Sequence, residues 1–287
     1  EARVPAPALY PTTPVQRAAA SDFGIMLSGP DRKIIRFEEK PKEAAVLDEL
    51  KLDRELLESI ESNPDEELFQ ASMGIYVFNR QVLVDCLESN LDDFGKHVIP
   101  QAIDERHVNA FIFKGYWEDI GTIGNFFQAN LDLVSELPRF NFYDMTSPIF
   151  SRPRFLPGSK INGANIDHAM VSDGCIINQA EISHSIIGLR STVGVGTRLD
   201  RVVLMGSDYY ESQNSIVENE MVGKPKIGIG QNCKIENAII DKNARIGDNV
   251  VISPTGKPEN LDHPLYCIRD GVVVIPKNGV IPHRMVI

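Results

Sequence analysis

An α/β domain followed by a parallel β-helix is the architecture this 287-residue chain predicts, and three observations carry it. From Ala18 to about Gly115, short apolar strands alternate with amphipathic helical segments, the pattern of a layered α/β domain with a largely parallel sheet. Between Pro138 and Pro157 the composition breaks, with four prolines and five aromatics close together. After Pro157 the period changes. Apolar residues return every five or six positions at Ile161, Ile166, Val171, Ile177, Ile182, Ile187, Val193 and Leu199, then again at Ile229, Ile235, Ile240, Ile246 and Val251. Such hexads build a β-helix in which each contributes one short strand and a turn.

In chain order, residues 1–17 hold four prolines and no periodicity, which reads as an extended arm. KIIRFEEKP is a strand entering a proline-fixed turn. Residues 43–62 read as one helix with Leu52, Leu56 and Ile60 on a face, stopped by Asn63-Pro64. MGIYVFN reads as a continuous, doubly covered strand, residues 80–90 and 95–104 as helices, and NAFIFKGYWEDIG as a strand ending in a loop. Ile123 to Glu136 is a helix with Ile123, Phe127, Leu131 and Val134 on one stripe. The domains are therefore an arm (1–17), an α/β domain (18–137), a linker (138–156) whose aromatics are expected to dock the domains together, and a β-helix (157–287). Residues 207–226 interrupt the hexads and must loop out with a helical middle, and the C-terminal segment from Tyr266 returns to strands that cap the last coil.

A net charge of -11 argues against a nucleic-acid partner. No apolar run is long enough to span a membrane, and EARVPAPALYPTTP lacks the layout of a signal peptide. Cys86, Cys175, Cys233 and Cys267 are scattered, with neither C-x-x-C nor His at ligand spacing. The expectation is a cytosolic protein with reduced, mostly buried thiols.

Glu39-Lys40 offers a hydroxyl acceptor beside a phosphate cation, against the plainer reading of a solvated surface pair. Ser72 gives a small polar edge, and Gly74 marks a close backbone approach. Trp117, the single tryptophan, is either core or a wall for a sugar ring. Asp119 supplies a hard oxygen ligand suited to Mg²⁺ against phosphates; otherwise it caps the helix that follows. GVGTRL (194–199) imitates a nucleotide loop, but it lies in hexad register with no helix after it, and it reads as a decoy. His168 and His184 read as solvated surface of the β-helix.

SDFG (21–24), F-x-EKP, ASMGIYVF, DFG-x-x-VIP (93–100), YWEDIGTI and IGIG-x-N-C-x-I-x-x-AIIDKNARIG (227–247) together resemble the glucose-1-phosphate adenylyltransferase (ADP-glucose pyrophosphorylase) family. The resemblance runs from about Ala18 to Ile287, and EARVPAPALYP finds no counterpart before about Thr13. It implies a nucleotide-diphospho-sugar transferase domain followed by a left-handed β-helix. It also implies formation of ADP-glucose and pyrophosphate from ATP and glucose 1-phosphate in glycogen or starch synthesis. Within it, Glu39 matches the sugar-hydroxyl acceptor and Lys40 the phosphate ligand. Ser72, Gly24 and Trp117 match substrate contacts, and Asp119 matches one of two Mg²⁺ aspartates, with Lys40 and Asp119 as the catalytic pair. Lys242 and Arg269 fall where plant-type relatives keep residues for an anionic effector. A homotetramer, in the cytoplasm or in a plastid, goes with it. The family's glycine-rich nucleotide loop has no counterpart in the sequence, so the chain alone is expected to be inactive. A regulatory or assembly subunit, a pyrophosphorylase for another sugar 1-phosphate and a hexapeptide acyltransferase are the alternatives.

Overall fold

A computed structural model describes residues 8–88 and 93–287. The chain divides into two compact units, Glu1–Trp117 and Glu118–Ile287.

The first unit is built on a six-stranded sheet. Its strands are β1 (Ala8–Gln16), β2 (Gly24–Ser28), β3 (Ile34–Glu39), β4 (Leu68–Ser72), β5 (Val77–Phe78) and β6 (Val108–Ile112). β1 lies in the interior of the sheet, antiparallel to β4 and β5 on one side and parallel to β6 on the other. This corrects the reading of 1–17 as an arm, of which residues 1–7 lie outside the described residues. Pro11 and Pro14 hid the strand, because proline cannot donate to a ladder. The strand survives because Ala8, Tyr10 and Thr12 alternate into the core and Pro11 still accepts from the Met73 N–H at 3.1 Å.

The expected parallel sheet is also corrected: β1–β6 is the one parallel pair among the described strands of this first sheet, and β2 is antiparallel to both β3 and β4. β2 and β3 are joined by a tight turn, with Gly29 N–H to the Lys33 carbonyl at 2.9 Å, too short for the crossover that parallel pairing needs. The predicted 43–62 helix is two, α2 (Ala44–Glu49) and α3 (Arg54–Ser59), because Asp53 starts a new one by accepting from the Leu56 N–H at 2.7 Å. Of MGIYVFN only Val77–Phe78 is strand, and Ile75 and Val77 are more than half exposed. The 80–90 helix is α4 (Arg80–Leu87), its last two predicted residues lying outside the described ones. The 95–104 helix is a π-turn at Phe94–Val98 leading into α5 (Ile99–Glu105).

One ion network ties the start of this unit together. Arg17, opening α1 (Arg17–Ala20), bonds Glu67 twice, at 3.0 and 2.9 Å, and also pairs with Asp48, while Lys51 joins both carboxylates. Hydrogen bonds from Arg17 and Lys51 hold the Glu67 carboxyl down at about 2.

In the second unit, α6 (Ile123–Asp132) buries Phe127 and Leu131 against Val203, Ile239 and Val272. The sequence assigns this helix to the 18–137 domain, since an apolar stripe does not say which surface it will cover; the compact boundary falls at Trp117 instead. Phe142, Tyr143, Phe150 and Phe155 of the linker are exposed.

The β-helix strands are β7 (Lys160–Asn162), β8 (Asn165–Val171), β9 (Ile176–Asn178), β10 (Glu181–Ile187), β11 (Thr192–Val193), β12 (Arg198–Leu204), β13 (Gly228–Ile229), β14 (Lys234–Ile240), β15 (Arg245–Ile246) and β16 (Val251–Ile252). They stack in parallel register, giving three internal columns. These are Ile161–Ile177–Val193–Ile229–Ile246–Ile281, Ile166–Ile182–Leu199–Ile235–Ile252 and Val171–Ile187–Leu204–Ile240–Ile275. All but one of the predicted beats hold; Val251 gives way to Ile252, fully buried opposite Ile235. The long strands turn a corner at their middle residue, His168, His184, Arg201 or Asn237, each at positive φ. Non-glycine residues there cost about 1–2 kcal/mol each. Partners offset this: the two imidazoles stack at 5.4 Å, and Arg201 Nε donates to Asn237 Oδ1 at 2.9 Å.

The interruption loops out as predicted, carrying α7 (Gln213–Met221). A nearly buried ion pair fastens it, with Arg245 to Glu211 at 2.7 Å, while Glu211 also accepts from the Ile227 N–H at 2.7 Å. Chain between β16 and β19 (Val272–Ile275) leaves the coil as the hairpin β17 (Leu261–His263) and β18 (Tyr266–Arg269), and β18 covers β19 antiparallel. β20 (Val280–Ile281) continues the coil on β15.

Two outcomes follow. Glu67 ionises well below its ordinary 4.5, so its contribution is complete above that pH and fades as pH falls toward 2. Glu67→Gln should flatten the acid limb of the stability curve, read by urea unfolding at stepped pH. Arg245→Met should cost about 3–5 kcal/mol, because it leaves Glu211 buried and unpaired; unfolding no easier than that of the parent chain would refute the clasp.

Candidate functional site

The first unit gathers its candidate residues around the β2–β3 pairing. Gly24 sits opposite Glu39 and is buried. A Cβ at Gly24 would lie 2.7 Å from the Phe37 ring and 2.9 Å from Glu39 Oε2, so any side chain there would push on the two folded over it. Glu39 Oε2 also lies 4.0 Å from where a Cβ on Gly95 would be. The carboxylate is thus flanked by two residues without side chains, while Glu39 itself stays exposed. Such a group is open to a ligand's hydroxyls.

Tyr76 lies within range of its charge. Its phenol is pushed up by burial, and further by the Glu39 charge, while its hydrogen bond with Ser72 works the other way. Ser72 Oγ and Tyr76 Oη are 3.2 Å apart, and the Gly74 N–H reaches Ser72 Oγ at 3.3 Å. Gly74 is at φ 69°, which explains the glycine as a turn. Lys40 ends β3 with positive φ, its N–H donating to the Phe23 carbonyl at 3.1 Å, and its side chain is exposed. Phe23 packs on Trp117 with centroids 5.6 Å apart. Lys40 and Trp117 are thus joined through Phe23, Gly24 is paired with Glu39, and Ser72 is joined to Tyr76, which feels the Glu39 charge.

Sequence reasoning missed Tyr76, Phe23 and Gly95. Tyr76 was absorbed into a supposedly continuous strand, and only the glycine two residues before it hinted that the chain turns there.

Asp119 belongs to the second unit. Its carboxylate accepts from the Gly121 N–H at 3.1 Å, while Thr122, not Asp119, caps α6 by accepting from Asn125 N–H at 3.1 Å. Among the described residues no three His, Cys, Asp or Glu side chains cluster as a metal cage. A single carboxylate fixed by one backbone N–H does fit Mg²⁺, which commonly takes one or two protein carboxylates plus phosphates and water.

Lys242 and Arg269, expected to bind an effector, have different surroundings. Lys242 lines a cavity of about 660 Å³ with Arg152, Arg154, Arg190 and Asp208. Arg269 is instead held by its own hairpin, donating to the Leu261 and Ile268 carbonyls and to Asp262. In GVGTRL the glycines serve coil stacking: a Cβ at Gly194 would meet the Gly230 carbonyl at 2.5 Å, and Gly196 turns a corner at φ 73°. His168 and His184 are exposed beside Asp167 and Asp200. Cys175 and Cys233 are buried, Cys86 and Cys267 half-buried. No helix among the described residues is long and apolar enough to cross a membrane.

Two family models match the chain, one described as nucleotidyl transferase over residues 6–136, the other as the GLGC left-handed parallel beta-helix domain over 154–286. The first match begins at residue 6, which corrects the expectation that likeness starts near Thr13 and agrees with β1 being part of the sheet. A curated relative, the chloroplastic/amyloplastic large subunit 1 of glucose-1-phosphate adenylyltransferase from Zea mays, is 41% identical over 279 residues, covering 96% of this chain. The chain spans about half, 54%, of that relative's length.

Gly24→Ala should overpack the pairing, costing about 1–3 kcal/mol, and should turn Glu39 away. Denaturant unfolding checks the first effect; an unchanged midpoint would mean Phe37 and Glu39 yield freely.

Proposed function

The chain belongs to the glucose-1-phosphate adenylyltransferase family, and from that premise we propose that it carries the sugar-phosphate side of a nucleotidyl-transfer site. The reaction is ATP plus glucose 1-phosphate to ADP-glucose plus pyrophosphate. An oxygen of the sugar phosphate attacks the α-phosphorus of ATP; that P–O bond forms as the bond to the β-phosphate breaks, and pyrophosphate leaves with the electron pair. No protein nucleophile takes part, so the residues contribute position and charge.

The observation that supports this best is the exposed Glu39 carboxylate between Gly24 and Gly95, beside the Ser72–Tyr76 hydroxyl pair. Glu39 accepts from the glucose hydroxyls, Lys40 neutralises the phosphate, Ser72 positions the ring edge, and Trp117 on Phe23 closes an apolar side. Asp119 would hold Mg²⁺, which supplies charge neutralisation on the phosphates when bound.

The basic cavity at Lys242 takes an anionic, phosphorylated effector; Arg269, bonded within its hairpin, serves the fold. The relative's name, a plastid large subunit, favours a second reading in which the chain serves as one subunit of an oligomer, and for that subunit we propose a regulatory or assembly role; a tetramer and a cytoplasmic or plastid location go with either.

Calorimetric titration of the chain with glucose 1-phosphate tests the sugar side. Lys40→Gln should weaken binding about tenfold or more, as loss of a charge-assisted contact does. Glu39→Gln should reduce preference for glucose 1-phosphate over inorganic phosphate. Equal binding of mannose 1-phosphate would favour another sugar, and indifference to both variants would overturn the site.

A further inference from the structure

We infer that Asp208 is a resident counter-anion of the basic cavity in the second unit, and that phosphorylated anions bind there by displacing its carboxylate from Lys242 and Lys277. This rests on the effector reading of that cavity and adds how its affinity is set.

Among the residues lining the cavity, Arg152, Arg154, Arg190 and Lys242 bring positive charge and Asp208 alone brings negative. The Asp208 carboxylate takes Lys277 Nζ at 3.0 Å on one oxygen and Lys242 Nζ at 3.4 Å on the other, and accepts from Asn243 Nδ2 at 3.1 Å. Three donors from three residues thus converge on one small anion. Hydrogen bonds from Lys277 and Asn243 hold its carboxyl down at about 2, so it is ionised throughout the physiological range.

That donor set suits a phosphate better than a carboxylate. A phosphate monoester brings three strong acceptor oxygens and up to two charges, where Asp208 brings two oxygens and one. The arginines Arg152 and Arg154 then gain an anionic partner in the same cavity.

The backbone around Asp208 is pinned independently of its carboxylate. Its N–H donates to Asn243 Oδ1 at 2.8 Å, Tyr210 Oη donates to the Gly174 carbonyl at 2.8 Å, and Glu211 is clasped by Arg245. Asp208 is exposed, so its side chain can swing toward solvent while the chain stays in place. The carboxylate therefore raises the concentration at which an anion enters, and keeps the lysines paired when none is present.

Titration of the 287-residue chain with inorganic phosphate at fixed ionic strength decides it. Asp208→Asn, and Asp208→Ser as a second variant should the first unfold, should bind phosphate about fivefold tighter, the scale of one exposed charge pair at contact. Lys242→Gln should bind it more weakly than the parent. If Lys242→Gln weakens binding while both Asp208 variants leave it unchanged or weaken it, the displacement idea fails and the cavity reading stands. If neither the parent nor the Asp208 variants bind phosphate, the cavity reading fails, and this inference with it.

Discussion

Coil-to-coil register is the constraint on which the second unit depends. Each turn of chain must return an aliphatic to the same column, and the partners Ile166, Ile182 and Leu199 do so at intervals of 16 and 17 residues. Beyond the first coil, where Ile161 is half exposed, the column residues are buried, and their burial is the main stabilising term, at roughly 25 cal/mol per Å² of apolar surface. Everything else on this unit is arranged around keeping that beat. Corner residues adopt left-handed backbone conformations, glycines sit where one coil presses on the next, and the 207–226 segment is expelled sideways rather than allowed to shift the count.

In the first unit the comparable constraint is local. One pairing, Gly24 opposite Glu39, sets a carboxylate over a residue with no side chain. Phe37 fills the remaining space, and the backbone bond from Lys40 to Phe23 fixes where the strand ends. Chemistry needs a charged group that is both held and open. The pairing meets both conditions, since it sets one carboxylate oxygen over Gly24 while Glu39 as a whole stays exposed.

The β-helix was legible because its signal is repetitive and each beat names an inward residue. It slipped by one at Val251, where the run Val250, Val251, Ile252 offers no polar gap and both neighbours of Val251 are buried. The α/β domain was less legible. Two prolines concealed β1, alternation of strands and helices overstated parallel pairing, and the stripe of α6 gave no address for the surface it covers. For the site, residue types singled out Glu39 and Lys40 as candidates, whereas Tyr76 comes against Ser72 only through a turn at Gly74, a contact that no spacing rule encodes. Arg269 shows the converse. A cation at a suggestive position is spent on its own hairpin carbonyls once the chain folds.

The clasp between Glu211 and Arg245 has an implication for how this architecture can diversify. Because Glu211 also binds the Ile227 N–H, the two ends of the excursion meet at a single carboxylate. Meanwhile the strands before and after pair as if nothing intervened, Leu199 with Ile235 and Leu204 with Ile240. Lengthening a loop whose ends are already joined adds only about 0.6 kcal/mol per doubling. The excursion is thus a graft point, where new sequence can be accepted, lost or exchanged over generations while the prism beneath it goes on unaltered.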